Sequence, residues 1–178
     1  DGALYIAGGN VGGHGGHSRS STLLTRYVPS AAGRPASWTA LSRLPRVRDH
    51  VYGVVSRGRL VLAGGRDGAR GFDAVPTAID VYDFGRDAWR TLPGAALAVG
   101  RGAPVVAAIG DTVVVAGGEG NRRVWPATEI LDMATERMVT PANPPVEMRR
   151  GRHASPAVVC AGAAYVAAGS GRQGGRPE

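Results

Sequence analysis

Arginine and histidine are the residues whose type and spacing could support chemistry in this sequence. All 21 basic residues of the 178-residue chain are arginines, and against 14 acidic residues they give a formal net charge of +7. A guanidinium group is planar and can hold a carboxylate or a phosphate through two parallel hydrogen bonds, so this charge points to an anionic partner. A genome that encodes arginine where others use lysine would explain the total equally well. The number of arginines therefore does not indicate a function, and only their positions in the sequence can do so.

Three arginines recur at equivalent positions along the chain. Arg48, Arg101 and Arg152, which we call the marker arginines, each lie 16 residues before a Gly-Gly pair or an Ala-Gly pair. Because they recur in phase, we favour a structural role, in which each bonds to carbonyls or to an acid of the neighbouring repeat, and we keep anion binding as the alternative. The arginines that follow the Gly-Gly pairs do not recur in phase and remain open for ligand binding: Arg66, Arg70 and Arg122.

The four histidines fall into two groups. His14 and His17 lie in a glycine-rich loop and could coordinate a metal, but two ligands on a flexible loop make a weak site, so we predict no metal. A ligand-contacting loop and a plain surface loop are the other interpretations. His50 and His153 follow marker arginines and either line the mouth of a channel or cap a turn. The candidate ligand-binding residues are therefore His14, His17, Arg48, His50, Arg66, Arg70, Arg101, Arg122, Arg152 and His153.

Several classes of function lack their sequence signals. The chain has no Ser-His-Asp arrangement with a nucleophile turn, no phosphate-binding loop and no recognisable carboxylate pair, so we predict no catalytic residue and no cofactor. The single cysteine, Cys160, follows two valines and is predicted to be a small buried hydrophobe. Aromatic residues are few, which argues against nucleic-acid binding, and no apolar stretch reaches the roughly 18 residues of a membrane helix.

A repeat of about 50 residues must position these side chains. Four apolar runs, at residues 4–9, 60–65, 113–118 and 164–169, each close on a Gly-Gly or Ala-Gly pair. Further short runs surround them, separated by glycine, proline, aspartate or asparagine, and no helical periodicity is sustained. Four antiparallel strands in about 50 residues are typical of a propeller blade.

The order of markers resembles the kelch repeat over essentially the whole chain. Arg48, an apolar strand, a strand ending at Gly64-Gly65, the tripeptide Val81-Tyr82-Asp83, Trp89 and Leu92-Pro93 make the best-matching unit. The next unit has Met138 where the family has tryptophan. The resemblance implies an all-β, kelch-type β-propeller with four-stranded antiparallel blades. Residues 165–171 are similar to secreted bacterial and fungal kelch proteins, which favours an extracellular location.

The repeat boundaries predict one partial propeller domain over residues 1–178. We expect a blade at 3–45 without its first strand, complete blades at 48–99 and 101–149, and half a blade at 152–170. The remaining blades of a longer parent chain would complete the ring. Association of copies through exposed blade faces is the alternative. Trp38 and Trp89 are expected to pack between blades, with each indole N–H near a partner at an edge.

The kelch resemblance implies a binding scaffold and not a particular ligand. We predict a non-catalytic recognition module for a protein or a carbohydrate, with room for an anionic ligand on the arginine-rich loop face. The alternative is part of a carbohydrate-active propeller enzyme, an oxidase or a sugar isomerase, whose other catalytic groups lie in further blades.

Overall fold

The chain folds into strands joined by turns and loops. The structure is a computed structural model, and it describes residues 2–13, 17–72, 74–139 and 146–174. Within those ranges all regular structure is β, and no helix of a length and apolarity suited to crossing a membrane occurs. The strands are β1 (Leu4–Ala7), β2 (Asn10–Val11), β3 (Arg19–Ser20), β4 (Leu24–Val28), β5 (Ser37–Ala40), β6 (Tyr52–Ser56), β7 (Arg59–Ala63), β8 (Ala78–Asp83), β9 (Ala88–Ala96), β10 (Val105–Ile109), β11 (Thr112–Ala116), β12 (Glu119–Gly120), β13 (Arg123–Val124), β14 (Thr128–Asp132), β15 (Arg137–Val139), β16 (Ala157–Cys160) and β17 (Ala163–Val166).

Four sheets follow one another along the chain, and we call them blades 1 to 4. Blade 1 has the strand order β1-β4-β5, blade 2 is β6-β7-β8-β9, blade 3 is β10-β11-β14-β15, and blade 4 is β16-β17. Neighbouring strands in every blade are antiparallel. Blades 2 and 3 are therefore the four-stranded antiparallel units that the repeat predicts.

Two short hairpins extend the loops between second and third strands. β2 pairs with β3 in blade 1, and β12 pairs with β13 in blade 3. The sequence analysis treated both segments as loops. Each strand of these hairpins has only two residues, which is too short to show an alternating pattern of apolar and polar residues.

The hydrophobic core lies between blades and not within one sheet. Val61 and Val81 of blade 2 pack in the same buried cluster as Val115 and Leu131 of blade 3. Leu60–Ala63 of β7 is buried throughout, because neighbouring blades cover both faces of this central strand. Burying one such side chain contributes about 1.5–3 kcal/mol, so the contact between blades contributes strongly to the stability of the fold.

The Gly-Gly pairs join each blade to the next. The amide of Gly65 donates to the carbonyl oxygen of Arg101 at 3.0 Å, and Gly9 and Gly118 make the equivalent bonds to the carbonyls of the other two marker arginines at 2.8 Å. Gly64 has a φ of 72°, and a Cβ there would lie 2.6 Å from the Arg101 carbonyl oxygen. Glycine is therefore required by both the backbone angle and the close approach.

Two packing predictions are wrong, and a third is correct. Trp89 is half-buried and its indole N–H donates to the Ser42 carbonyl at 2.9 Å, as expected. Trp38 instead is 60% exposed and packs beside Tyr27, with ring centroids 4.7 Å apart. Cys160 is also exposed, not buried. Both residues lie in the first or last of the four sheets, each of which has one open face.

Candidate ligand-binding cleft

Links between blades and loops after the Gly-Gly pairs meet on one face of the molecule. Isolated antiparallel bridges join Asp49 to Arg66 in blade 2, Gly102 to Glu119 in blade 3, and His153 to Ser170 in blade 4. The residue after each marker arginine thus lies beside the residue after the Gly-Gly or Ala-Gly pair of the same blade. This pairing brings side chains from distant parts of the sequence to the same edge.

Successive links between blades are also hydrogen-bonded to each other. The amide of Ala103 donates to the His50 carbonyl at 2.5 Å, and the amide of Ala154 donates to the Ala103 carbonyl at 2.9 Å. All three residues have positive φ, at 47°, 45° and 55° in chain order. Non-glycine residues in this region carry roughly 1–3 kcal/mol of strain, and inter-blade hydrogen bonds of this kind can hold them there.

A cleft of about 350 Å³ opens beside these links, with His50 and Ala154 in its lining. Blades 2, 3 and 4 all contribute to its walls. The lining residues are His50, Arg66, Phe72, Glu119, His153, Ala154, Gln173 and Gly174.

Asp49 is the buried carboxylate that holds one wall of the cleft. Its side chain is 1% exposed and accepts hydrogen bonds from His50 Nδ1 at 2.7 Å and from Arg66 Nε at 3.1 Å. On the other side it accepts from Asn10 at 3.1 Å and Ser20 at 3.0 Å of blade 1. Burial by itself would raise the pKa of Asp49, but hydrogen bonds from His50, Ser20 and Arg66 together hold that pKa below its ordinary value.

Arg66 is fixed in place from several directions. Besides the bond to Asp49, its Nη2 lies 3.1 Å from His50 Nε2, and its guanidinium lies 4.9 Å from the centre of the Phe72 ring. Arginine only donates, so His50 Nε2 accepts this bond and His50 Nδ1 carries the proton given to Asp49. Contact with the Phe72 ring adds a cation–π attraction.

Glu119 faces Arg66 across the cleft. It is 3% exposed, and its carboxylate lies 3.8 Å from Arg66 Nη1 and 3.7 Å from His153 Nε2. The amide of Gly174 donates to the same carboxylate at 3.3 Å. His153 Nε2 donates to the Arg172 carbonyl at 2.9 Å, while Nδ1 of His153 is buried with no hydrogen-bond partner among the described residues. The cleft therefore presents both donors and acceptors.

Two of the candidate residues are buried inside their blades. Arg48 and Arg101 are 0% and 1% exposed. Arg48 donates to the carbonyls of Gly64 and Ala78 and pairs with Asp80 at 2.7 Å, whereas Arg101 donates to the carbonyls of Gly117 and Ala127 and pairs with Glu129. We expected these partners to belong to the neighbouring blade. They belong instead to the same blade as the arginine. Burial lowers the pKa of each guanidinium, and the paired carboxylate opposes that effect.

Of the remaining candidate residues, three meet in the cleft and the other described ones lie elsewhere. His50, Arg66 and His153 meet in the cleft, whereas Arg152 donates to the Ala168 carbonyl at 2.7 Å. Arg70 lines a separate, open cleft of about 360 Å³ with Arg46, Asp67 and Val75. Arg122 is exposed, and its amide donates to Gln173 Oε1 at 2.6 Å. His17 is exposed, and His14 lies outside the described residues.

The sequence analysis missed several cleft residues. Asp49 directly follows a marker arginine, and Glu119 directly follows a Gly-Gly pair as Arg66 does. Reading the repeat positions across all units would have found both of them. Phe72 and Gln173 carry no such signal. In the part of the chain that the structure describes, no group of three or more His, Cys, Asp or Glu side chains is arranged to hold a metal ion.

Comparisons with known proteins place this fold among the kelch proteins. No family model matches the chain. The Kelch-like protein terF of Aspergillus terreus is 32% identical over 140 residues, which cover 76% of this chain and 29% of that protein. The solved structure of YjhT superposes with a TM-score of 0.69 at 21% identity, covering 88% of this chain and 53% of YjhT. The chain thus spans less than a third of the curated relative and about half of the solved structure.

These likenesses agree with the strands and repeats described above. The superposition on YjhT supports the propeller arrangement of the blades, and the relation to terF extends to the sequence itself. The predicted all-β architecture with four-stranded antiparallel blades is confirmed. The chain belongs to the kelch-repeat β-propellers.

Proposed function

We propose that this chain is a non-catalytic recognition module and that a carbohydrate binds in the cleft around Arg66 and Glu119. The observation that carries this proposal is the convergence of polar groups from three blades on one cleft of about 350 Å³. Ligand sites are typically concave, combine apolar walls with a few well-placed polar groups, and begin at roughly 300 Å³.

The mixed polarity of the cleft suits a sugar. A sugar hydroxyl both donates and accepts hydrogen bonds, and its ring also has an apolar face. Arg66 supplies donors, Glu119 supplies acceptors, and the side-chain amide of Gln173 supplies both. Phe72 adds an aromatic surface for the apolar face of the ring.

Charge balance in the cleft favours a neutral sugar over a strongly anionic ligand. Arg66 already lies 3.1 Å from a carboxylate oxygen of Asp49 and 3.8 Å from one of Glu119. An incoming carboxylate or phosphate would meet two buried negative charges beside one positive charge. The expected anionic ligand is therefore better accommodated elsewhere on the arginine-rich face.

Glycan-array binding of the labelled chain tests the proposal, followed by calorimetry with the tightest sugar. We expect Phe72→Ala and Glu119→Gln each to weaken binding about tenfold, because each removes a contact made inside the cleft. Arg34→Gln removes an exposed arginine in blade 1 and serves as the matched control. The proposal fails if no sugar on the array binds, or if folded cleft variants bind as tightly as the unaltered chain.

A further inference from the structure

We propose that five exposed arginines beside the cleft form a docking surface for an acidic polypeptide. We call this surface the arginine patch, and it consists of Arg122, Arg123, Arg149, Arg150 and Arg172. None of the five lines the cleft. The proposal therefore stands apart from the carbohydrate site and does not depend on it.

The blade 3 hairpin and the blade 4 loop bring three of these arginines together. Arg122 lies in the turn between β12 and β13, and Arg123 is the first residue of β13. The amide of Arg122 donates to Gln173 Oε1 at 2.6 Å, and Gln173 directly follows Arg172. The loop that carries Arg172 is thus held against the tip of the hairpin.

The link between blades 3 and 4 adds the other two arginines. The amide of Met148 donates to the Pro126 carbonyl at 2.9 Å. Gly151 approaches Trp125 so closely that a Cβ would lie 2.8 Å from the Trp125 carbonyl group. Arg149 and Arg150 lie between these two contacts, and the link therefore runs along the segment that begins with Arg123.

Among the described residues, carboxylates near the patch are few or buried. Glu119 is 3% exposed and faces the cleft, so it presents almost no charge to solvent. Glu147 is the exposed acid of the same link. Arg122, Arg123, Arg149 and Arg172 form no ion pair with a described carboxylate. Positive charge in excess over exposed negative charge attracts acidic partners and speeds their association.

Arginines at the opposite face are arranged differently. Arg57 pairs with Asp111, Arg59 pairs with Glu136, and Arg86 pairs with Asp83 at 2.9 Å. Blade turns on that face carry both signs of charge, so local pairing offsets much of the positive charge. The patch is therefore a feature of position, and the arginine-rich composition alone does not produce it.

An acidic polypeptide fits the patch better than a nucleic acid does. Binding of single-stranded nucleic acid combines basic grooves with aromatic side chains on which bases stack. Trp125 is the aromatic side chain beside the patch, and it is half-buried with the Arg123 guanidinium 5.5 Å from its ring centre. Glutamate and aspartate carboxylates match the guanidinium fork without an aromatic platform.

The test uses a fluorescein-labelled poly-glutamate peptide and fluorescence anisotropy at low and physiological salt. We expect the triple variant Arg122→Gln, Arg149→Gln and Arg172→Gln to weaken binding about tenfold or more. The matched control is Arg34→Gln, Arg86→Gln and Arg137→Gln, which removes the same charge from exposed arginines outside the patch. It should change the affinity by less than about twofold, because non-specific attraction between distant charges is screened by salt.

Replacing the same three patch arginines by lysine separates charge from geometry. This variant keeps the charge but loses the planar fork, so its affinity should lie between those of the unaltered chain and the glutamine triple. Equal weakening by the patch and control triples would overturn the proposal, as would the absence of binding at low salt. Tighter, patch-dependent binding of single-stranded DNA of equal charge would also overturn it, since the ligand would then be a nucleic acid.

Discussion

At the scale of single residues, equivalent arginines differ in what surrounds them. Arg48 is fully buried and bonds to two carbonyls and to Asp80. Arg152 is half-buried and donates to the Ala168 carbonyl. The same position in the repeat therefore contributes differently to stability in different blades, because the contribution of an arginine depends on its burial and on a charged partner.

Arg48→Met should destabilise the fold by about 3 kcal/mol, at the lower end of values for breaking a buried ion pair. The Asp80 carboxylate would lose its closest cation, although Thr91 at 2.7 Å and Arg46 at 3.0 Å would still contact it. Urea unfolding measures the change. Arg152→Met is the control, with an expected loss below about 1 kcal/mol; equal losses in both variants would refute this account of the marker arginines.

Acid should weaken the fold partly through Asp49. Its pKa is lowered from 3.8 in the folded state, so the unfolded chain binds the proton more readily. The stability that Asp49 contributes is then fully present above the unfolded pKa and is lost as pH falls through the lower folded pKa. Unfolding curves between neutral pH and about pH 2 should show a smaller acid-induced loss in Asp49→Asn than in the unaltered chain.

Asp67→Asn is the control for that series, since Asp67 lies outside the hydrogen-bond network of Asp49. It should leave the acid-induced loss close to that of the unaltered chain. An identical loss in the unaltered chain and in Asp49→Asn would show that Asp49 gains nothing from its buried partners.

Residue-level roles were only partly predictable from sequence. The recurrence of Arg48 and Arg101 indicated a structural role, and each of them pairs with a carboxylate of its own blade. Glu119 could not be linked to Arg66 by sequence proximity, because the two meet across a blade boundary. Trp38 was assigned to an interface between blades, and it is exposed because its face of blade 1 is open.

At the scale of elements, the Gly-Gly or Ala-Gly pair after the second strand of each blade determines how blades join. We call this pair the corner. Gly64 and Gly117 have φ values of 72° and 65°, and Ala168 adopts 62° at the equivalent position of blade 4. The alanine is exposed, whereas a Cβ on Gly64 would press against the Arg101 carbonyl. Strand order and these corners followed from the repeat, while the hairpins β2–β3 and β12–β13 had too few residues to give a pattern.

Ala168→Gly should stabilise the chain by about 0.5–1 kcal/mol, because glycine adopts a positive φ without steric strain. Gly64→Ala should destabilise it by more than about 1 kcal/mol, since strain and a close contact add together. Thermal unfolding of the two single variants gives both numbers. Opposite signs are expected, and a destabilising Ala168→Gly would contradict the equivalence of the corners.

At the scale of the whole molecule, the four blades leave two apolar faces open. Leu4, Ile6 and Trp38 are 56%, 47% and 60% exposed on blade 1, and Val158 and Tyr165 are 66% and 60% exposed on blade 4. Exposed apolar faces of this kind favour association.

Self-association should therefore depend on protein concentration. We expect light scattering after gel filtration to give a mass that rises with concentration, and we expect the double variant Ile6→Ser and Val158→Ser to reduce that rise. Arg43→Ser, an exposed change outside both faces, is the control. A constant monomer mass for the unaltered chain at all concentrations would rule out association through these faces.

The most direct measurement for the account as a whole is an NMR titration of the isotope-labelled chain with the tightest sugar from the glycan array. If the cleft is the recognition site, the amide signals of His50, Glu119 and Gly174 should move together and saturate at the affinity found by calorimetry. Signals of the opposite face, such as that of Asp111, should stay in place. Saturable shifts that gather away from the cleft, or binding without any shift of those three signals, would contradict the proposed site.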